Sequence, residues 1–294
     1  DVEHMTLMQS ERVNKRTLPD VVFPDSLTIT LGLADAVHHI SDILLVVPSH
    51  AFSTVLMQLK AYVSQPRFVW GTKGLDPKTG GFLSDTVSAI FPKKTPVAIL
   101  SGPSFAKEVA EGMPTVVSLA SNNTCFSDEL ILRFQNKNFS VIATRDVIGV
   151  QLAGVFKNVT AIATGMLDGM GFGTNTRSAL ITCALSELDI FIQALGGGAR
   201  DTTLSSAGVG DMILTCTDNQ SRNRRFGLAL GKGASAEAAL KEIGQSVEGY
   251  YNAKQLTELA KKNNVKAPII EQVYAILYEG REAKTLLSVL SSNA

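Results

Sequence analysis

The sequence predicts an α/β fold in its first half and an all-helical fold in its second: a doubly wound parallel sheet, incomplete at its front, followed by a helical part. Three observations carry this reading. Short β-rich runs alternate with helical stretches up to about residue 146, no convincing strand follows from there to Ala294, and the two longest helical runs are apolar on too many faces to lie on a surface.

The candidate strands are 27–30, 42–47, 67–71, 96–100, 115–119 and 140–144. The run at 42–47, DILLVV, is apolar almost throughout, which suits a parallel strand covered on both faces better than an alternating surface strand. Helical candidates lie between these runs at 51–63, 82–90, 104–111 and 126–134. Strands alternating with helices give a doubly wound parallel sheet. Beyond Asp146 the helical runs 147–170 and 175–195 are separated by DGMGFGTN, a glycine cluster of the kind that ends helices. The chain is therefore divided into residues 1–146 and 147–294, with no repeat or low-complexity segment competing.

At 294 residues, 45% of them hydrophobic and 18% charged, the chain can fill two cores. Its 27 basic residues balance 27 acidic ones, so no global field draws it to nucleic acid or to an anionic membrane. Any anion site has to be built locally. Cys125, Cys183 and Cys216 are widely spaced and form neither a metal-ligand pattern nor a disulfide framework, so a reducing cytoplasm is the expected compartment. No apolar run reads as long enough to span a bilayer, and the first residues have neither the basic start nor the apolar core of a signal peptide. His38, His39 and His50 lack further ligands at workable spacing, and no metal is expected.

A doubly wound dinucleotide domain holds pyrophosphate on a glycine-rich turn between its first strand and first helix. No such turn occurs here. Gly196–Gly198 follows a helical run and Gly171–Gly173 lies between two, so both read as helix ends or turns. The chain opens instead on a polar helix-like segment, 1–15, and then TLPDVVFP, so the domain reads as cut at its front.

Three segments put charge where strand ends or buried helix faces are expected. In VWGTKGL, Lys73 follows the apolar end of a strand, where ligands of open α/β sheets gather; a solvated loop lysine is the alternative. In GVFKNV, Lys157 sits inside a very apolar helix, so it is either paired or snorkels to the surface. In GVGDMILTCTDNQSRNRRFG, Asp211 and Thr215 share a helix face, and Ser221, Arg222, Asn223, Arg224 and Arg225 cluster donors at the start of the next helix. Arginine's fork and a helix N-terminus both suit phosphate, while a solvated basic turn explains the cluster equally well. Cys216, with no histidine partner in sequence, reads as a structural thiol.

At these segments the sequence resembles the bacterial-type NAD(P)-dependent glycerol-3-phosphate dehydrogenases. LPDVVFP, VVPSH, VWGTKGL, LSGPSFAKE, IGVQLAGVFKNV, GMGFGTNTRSAL, AGVGDMILTCTDNQSRNRRFG and IGQSVEGY carry the likeness, in order, across nearly the whole chain. It implies a Rossmann-type dinucleotide domain followed by a helical substrate domain. The implied reaction interconverts sn-glycerol 3-phosphate and dihydroxyacetone phosphate with NAD or NADP and supplies glycerophospholipid synthesis.

The resemblance also implies roles for single residues. Lys157 is the proton donor and acceptor, and Lys73 contacts substrate and cofactor. Gly102, Ser104, Asp211, Ser221, Arg222 and Asn223 surround the substrate, while Ala106, Arg222, Ser246 and Glu248 contact the cofactor. Asn158 and Thr215 are weaker correspondences. The absent glycine turn leaves the choice between NAD and NADP unread. A phosphorylated triose is the expected partner, with neither nucleic acid nor membrane insertion. The apolar helices of the second half suit a homodimer interface or packing within one chain.

Two other readings compete. A β-hydroxyacid dehydrogenase joins similar domains but wants a carboxylate site in place of SRNRR, and a non-catalytic metabolite sensor explains the lost glycine turn. The glycerol-3-phosphate dehydrogenase reading expects Lys73, Lys157, Asp211 and Arg222 to converge on one cleft between the domains.

Overall fold

The computed structural model describes residues 2–291. The chain begins with α1 (Val2–Glu11) and a small antiparallel pair, β1 (Val13–Asn14) and β2 (Leu18–Val22). There follow α2 (Leu33–Val37), β3 (Asp42–Leu45), α3 (Ser49–Leu59), β4 (Arg67–Trp70), α4 (Leu83–Ile90), β5 (Val97–Ser101), α5 (Ala106–Ala110), β6 (Thr115–Ser121), α6 (Thr124–Phe134) and β7 (Phe139–Thr144). Strands β3 to β7 form one sheet in sequence order.

The centre of that sheet is covered on both faces. On β4, Phe68 and Trp70 join Phe52, Leu56, Leu83 and Val87 from α3 and α4 on one side. Val69 points to the other, with Val117, Leu119, Phe126 and Leu130. Alternate residues thus enter opposite cores, which is why Phe68, Val69 and Trp70 are all apolar.

Three details differ from the sequence expectation. The sheet is mixed: β3, β4 and β5 run parallel, as do β6 and β7, but β6 runs antiparallel to β5. The connection contains only the five-residue α5, about 8 Å long, too short to return along the sheet as a parallel crossover requires. Strand β3 alternates, with Ile43 and Leu45 buried but Leu44, and Val46 just beyond the strand, 46% and 71% exposed. An apolar run permits two-sided cover without supplying the second layer. Residues 27–30 form no strand, because the neighbouring β2 pairs with β1 and leaves 27–30 no ladder.

The second half contains α7 (Val147–Gly169), α8 (Thr174–Ala194), α9 (Ala199–Thr203), a π-helical turn at Ser206–Gly210, α10 (Asp211–Thr217) and α11 (Arg222–Gly231). It closes with α12 (Ala236–Ile243), α13 (Glu248–Lys262), α14 (Pro268–Tyr278), a 3-10 turn at Ala283–Leu287 and α15 (Ser288–Ser291). Helix α7 starts at Asp146, whose side chain accepts from the Gly149 N–H, and every residue from Gly149 to Leu167 is buried. In length and composition α7 would suffice to cross a membrane, which corrects the sequence reading; 89% of its apolar window is nevertheless buried within the protein, as in a core helix.

Helix α11 lies against α7 backbone to backbone. A Cβ on Gly227 would stand 2.0 Å from the Ile162 carbonyl oxygen, one on Gly231 2.1 Å from that of Met166, and one on Gly165 2.2 Å from that of Arg224. This contact fixes the first turn of α11 beside the middle of α7. Gly227→Ala is expected to destabilise the protein by about 3 kcal/mol, the upper range for forcing an extra carbon into a packed core. Urea unfolding measures this; a loss under about 0.5 kcal/mol would show that the helices separate freely.

Candidate active site

Ligands of open α/β sheets collect where strands end. Here the segment after β3 brings Val46 to Ser49, and the segment after β4 brings Gly71, Thr72 and Lys73, to one wall of a cavity of about 390 Å³. The opposite wall comes from α7 (Lys157, Asn158), α10 (Thr215), the start of α11 (Ser221, Arg222, Asn223) and the entry to α13 (Ser246, Glu248). Gly74 holds the first wall in shape: its φ is +156°, and a Cβ there would stand 2.4 Å from the Ser49 Cβ.

The floor is a charge cluster. Lys157 Nζ donates to Asp211 Oδ1 at 2.5 Å and to Thr215 Oγ1 at 2.7 Å. Lys73 Nζ donates to Asp211 Oδ2 at 2.5 Å and more weakly to the Gly102 carbonyl at 3.4 Å. One carboxylate therefore bridges two ammonium groups, and the cluster keeps a net positive charge. Asp211 and Thr215, one turn apart on α10, grip the same amine, so Lys157 does not snorkel. An ammonium has three donors, and Lys157 has spent two.

Burial of Lys157, with Lys73 adding repulsion, outweighs the attraction of Asp211 and lowers its pKa to about 8. Burial alone would raise Asp211, but the two ammonium groups overcome it and hold the carboxyl below its ordinary value. The amine is thus poised near neutral pH while its counter-ion stays ionised. Burial pushes the Cys216 thiol up to about 12, as befits a structural side chain.

The basic cluster at the start of α11 divides by role. Ser221 caps the helix, accepting from the Arg224 N–H. Arg224 is buried and pairs with Asp168, which also binds Arg177. Arg225 is exposed. Arg222 lines the cavity with its guanidinium near Gln245 Oε1, at 3.4 Å. Asn223 sits below it, donating to Asn158 Oδ1 at 3.0 Å and accepting from the Gly249 N–H at 2.9 Å. Only one arginine of the three faces a ligand space.

Glu248 accepts from Ser49 Oγ at 2.8 Å, joining the start of α13 to the start of α3 across 199 residues of sequence. Among the residues singled out from sequence, Lys73, Lys157, Asn158, Thr215, Ser221, Arg222, Asn223, Ser246 and Glu248 line the cavity, and Asp211 lies directly beneath it. Gly102 meets the cluster through its carbonyl, which also accepts from Ser104 Oγ at 3.0 Å. Gly102, Ser104 and the exposed Ala106 are not on the cavity wall. Ser49, which opens α3, and Thr72, in the loop after β4, were missed. No group of three His, Cys, Asp or Glu side chains able to hold a metal occurs among the described residues.

A family model for the NAD-dependent glycerol-3-phosphate dehydrogenase N-terminus matches residues 1–127, and one for the C-terminus matches 146–288. Glycerol-3-phosphate dehydrogenase (NAD(P)+) of Actinobacillus pleuropneumoniae serotype 5b is 49% identical over 290 residues, covering 98% of this chain and 86% of that protein. The chain belongs to the NAD-dependent glycerol-3-phosphate dehydrogenase family. A Vibrio cholerae relative of the same description is 48% identical, over 97% of this chain and 83% of that one. The solved glycerol-3-phosphate dehydrogenase from Coxiella burnetii superposes with a TM-score of 0.93 at 45% identity, covering 98% of this chain and 88% of that one. A D-mandelate dehydrogenase structure, at 12% identity and a TM-score of 0.58 over 98% of this chain and 89% of that one, shares the fold alone.

Proposed function

We propose that this chain interconverts sn-glycerol 3-phosphate and dihydroxyacetone phosphate by hydride transfer with NAD(P)(H), supplying glycerol 3-phosphate for glycerophospholipid synthesis. The observation that carries it is the buried Lys157, held by Asp211 and Thr215 on the floor of a cavity whose rim bears Arg222. In this reading residues 1–146 contribute the cofactor wall and 147–294 the substrate wall. The three free thiols suit a reducing cytoplasm.

The residues present fit the nicotinamide half of the cofactor: Val46, Val47 and Phe105 offer apolar surface beside the polar Ser49, Thr72 and Ser246. Bound NAD(P)H supplies the hydride that reduces the ketone carbon. As the carbonyl oxygen gains charge, the remaining donor of Lys157 delivers its proton there, leaving a neutral amine to be reprotonated from water. Lys73 adds positive charge that favours the developing oxyanion and keeps the Lys157 proton transferable. Asp211 fixes both amines. In the oxidative direction neutral Lys157 takes the hydroxyl proton of glycerol 3-phosphate.

Arg222, Ser221 and Asn223 hold the phosphate, and that remote binding orients the carbonyl. Arg222→Lys keeps the charge but loses the two-pronged donor set, so it is expected to raise KM for dihydroxyacetone phosphate about 10-fold and also to lower kcat. Steady-state kinetics at saturating cofactor checks this, and unchanged constants would remove Arg222 from the site. The function is tested by comparing dihydroxyacetone phosphate, dihydroxyacetone and a β-hydroxyacid as substrates. The phosphorylated ketone should exceed dihydroxyacetone in kcat/KM by at least about 1,000-fold, because the phosphate contacts are lost with the group. Preference for the hydroxyacid would overturn the assignment.

A further inference from the structure

Five hydrogen bonds run in one direction from the loop carrying Lys73 to the start of α13. Gln255 Nε2 donates to the Leu75 carbonyl at 3.4 Å, Asn252 Nδ2 to Gln255 Oε1 at 3.1 Å, and Asn158 Nδ2 to Asn252 Oδ1 at 3.2 Å. Asn223 Nδ2 then donates to Asn158 Oδ1 at 3.0 Å, and the Gly249 N–H donates to Asn223 Oδ1 at 2.9 Å. Both ends are backbone groups of fixed polarity: the carbonyl can only accept and the N–H can only donate. The four side-chain amides between them therefore satisfy the chain in a single orientation, since turning any one over opposes two donors or two acceptors. Asn252, at 0% exposure, has no water to relieve a mismatch, and Asn158 and Asn223 are buried apart from the cavity they line.

The consequence reaches the cavity, which Asn158 and Asn223 line and Asn252 and Gln255 do not. In the imposed orientation the side-chain oxygens of Asn158 and Asn223 are both occupied within the chain, and each of these amides keeps one N–H for a ligand. Their part of the wall offers amide N–H donors, while each amide oxygen already accepts within the chain, an arrangement that suits an oxyanion.

We infer that Asn252 and Gln255 are positioning residues for substrate: they hold Asn158 and Asn223 with N–H groups available to the anionic end of a phosphorylated triose, and tie that grip to the Lys73 loop through Leu75. This rests on the reading of the cavity as a phosphorylated-triose site.

The test is steady-state reduction of dihydroxyacetone phosphate by the parent, Asn252→Leu and Gln255→Glu, each shown to be folded by circular dichroism. Asn252→Leu removes the acceptor for Asn158 and is expected to raise KM about 10-fold, the scale of one or two lost hydrogen bonds, with kcat changed less than about 3-fold. Gln255→Glu, a near-isosteric change at a half-buried position, keeps the test open if the first variant fails to fold, and it sets a carboxylate oxygen against the Leu75 carbonyl. Its KM should exceed the parent's while the carboxyl is ionised and return toward the parent's as pH falls, because the protonated acid donates to that carbonyl as the amide did. A fall in kcat at unchanged KM in both variants would mark a scaffold role and overturn the proposal. So would a KM ratio of Gln255→Glu to parent that ignores pH. A parent inactive on dihydroxyacetone phosphate would overturn the functional reading itself, a result seen before any variant is compared.

Discussion

Lys157→Met is expected to lower kcat for dihydroxyacetone phosphate reduction by at least about 100-fold, in the range typical of losing a positioned acid that also stabilises charge. Methionine keeps much of the length and the apolar stem, so the helix packing around α7 is preserved. KM should change much less, because Arg222 and Asn223 still hold the phosphate. The cost falls on the step in which the carbonyl oxygen becomes an alkoxide, because the proton and the charge of Lys157 are both lost there while Lys73 stays bonded to Asp211. Turnover within about 10-fold of the parent would assign the proton to another group.

Removing Asp211 should be the most damaging change to the fold of the site. It is 1% exposed and bonded to both lysines, so Asp211→Ala leaves Lys157 buried without its counter-ion. Breaking a buried pair from one side costs about 3–5 kcal/mol, far more than the pair's net contribution. Lys157 would then feel only burial and the repulsion of Lys73, both of which lower its pKa, and it would lose its proton near neutral pH. A double variant, Asp211→Ala with Lys157→Met, should recover part of that stability because the buried amine, which must either shed its proton or stay charged without a carboxylate, is gone. Denaturant unfolding of the parent, both single variants and the double variant measures this coupling; additive losses would contradict a shared buried charge cluster.

Much of this was legible in the sequence because it shows as a local anomaly. A lysine in the middle of a helix too apolar for a surface needs either a partner or a path to solvent, and Asp211 with Thr215 one turn on offered a matching face. The alternation of strands and helices before Asp146 was equally plain. The reversal at β6 was not, because strand direction depends on whether the connection can recross the sheet, and only the shortness of α5 decides it. The alternation on β3 was hidden because apolar composition reports what a strand tolerates, not which layer covers it.

The amide chain was illegible for a different reason. Leu75, Asn158, Asn223, Gly249, Asn252 and Gln255 carry no common motif, and their orientation is set by two backbone groups 174 residues apart (249 − 75). The glycines of α7 and α11 likewise read as weak helix positions until each is seen against the other helix's carbonyls. Arg224 resembled its neighbours in the basic cluster and proved to be an internal partner of Asp168.

The central claim is that Lys157 exchanges the substrate proton, and the pH dependence of kcat/KM in both directions tests it most directly. Below about 8 the amine is protonated, which reduction requires, and above it neutral, which oxidation requires. Reduction should therefore fall, and oxidation of glycerol 3-phosphate should rise, through the same apparent pKa near 8. A limb near the ordinary lysine value of 10.5, or limbs of the same sign in both directions, would contradict the account.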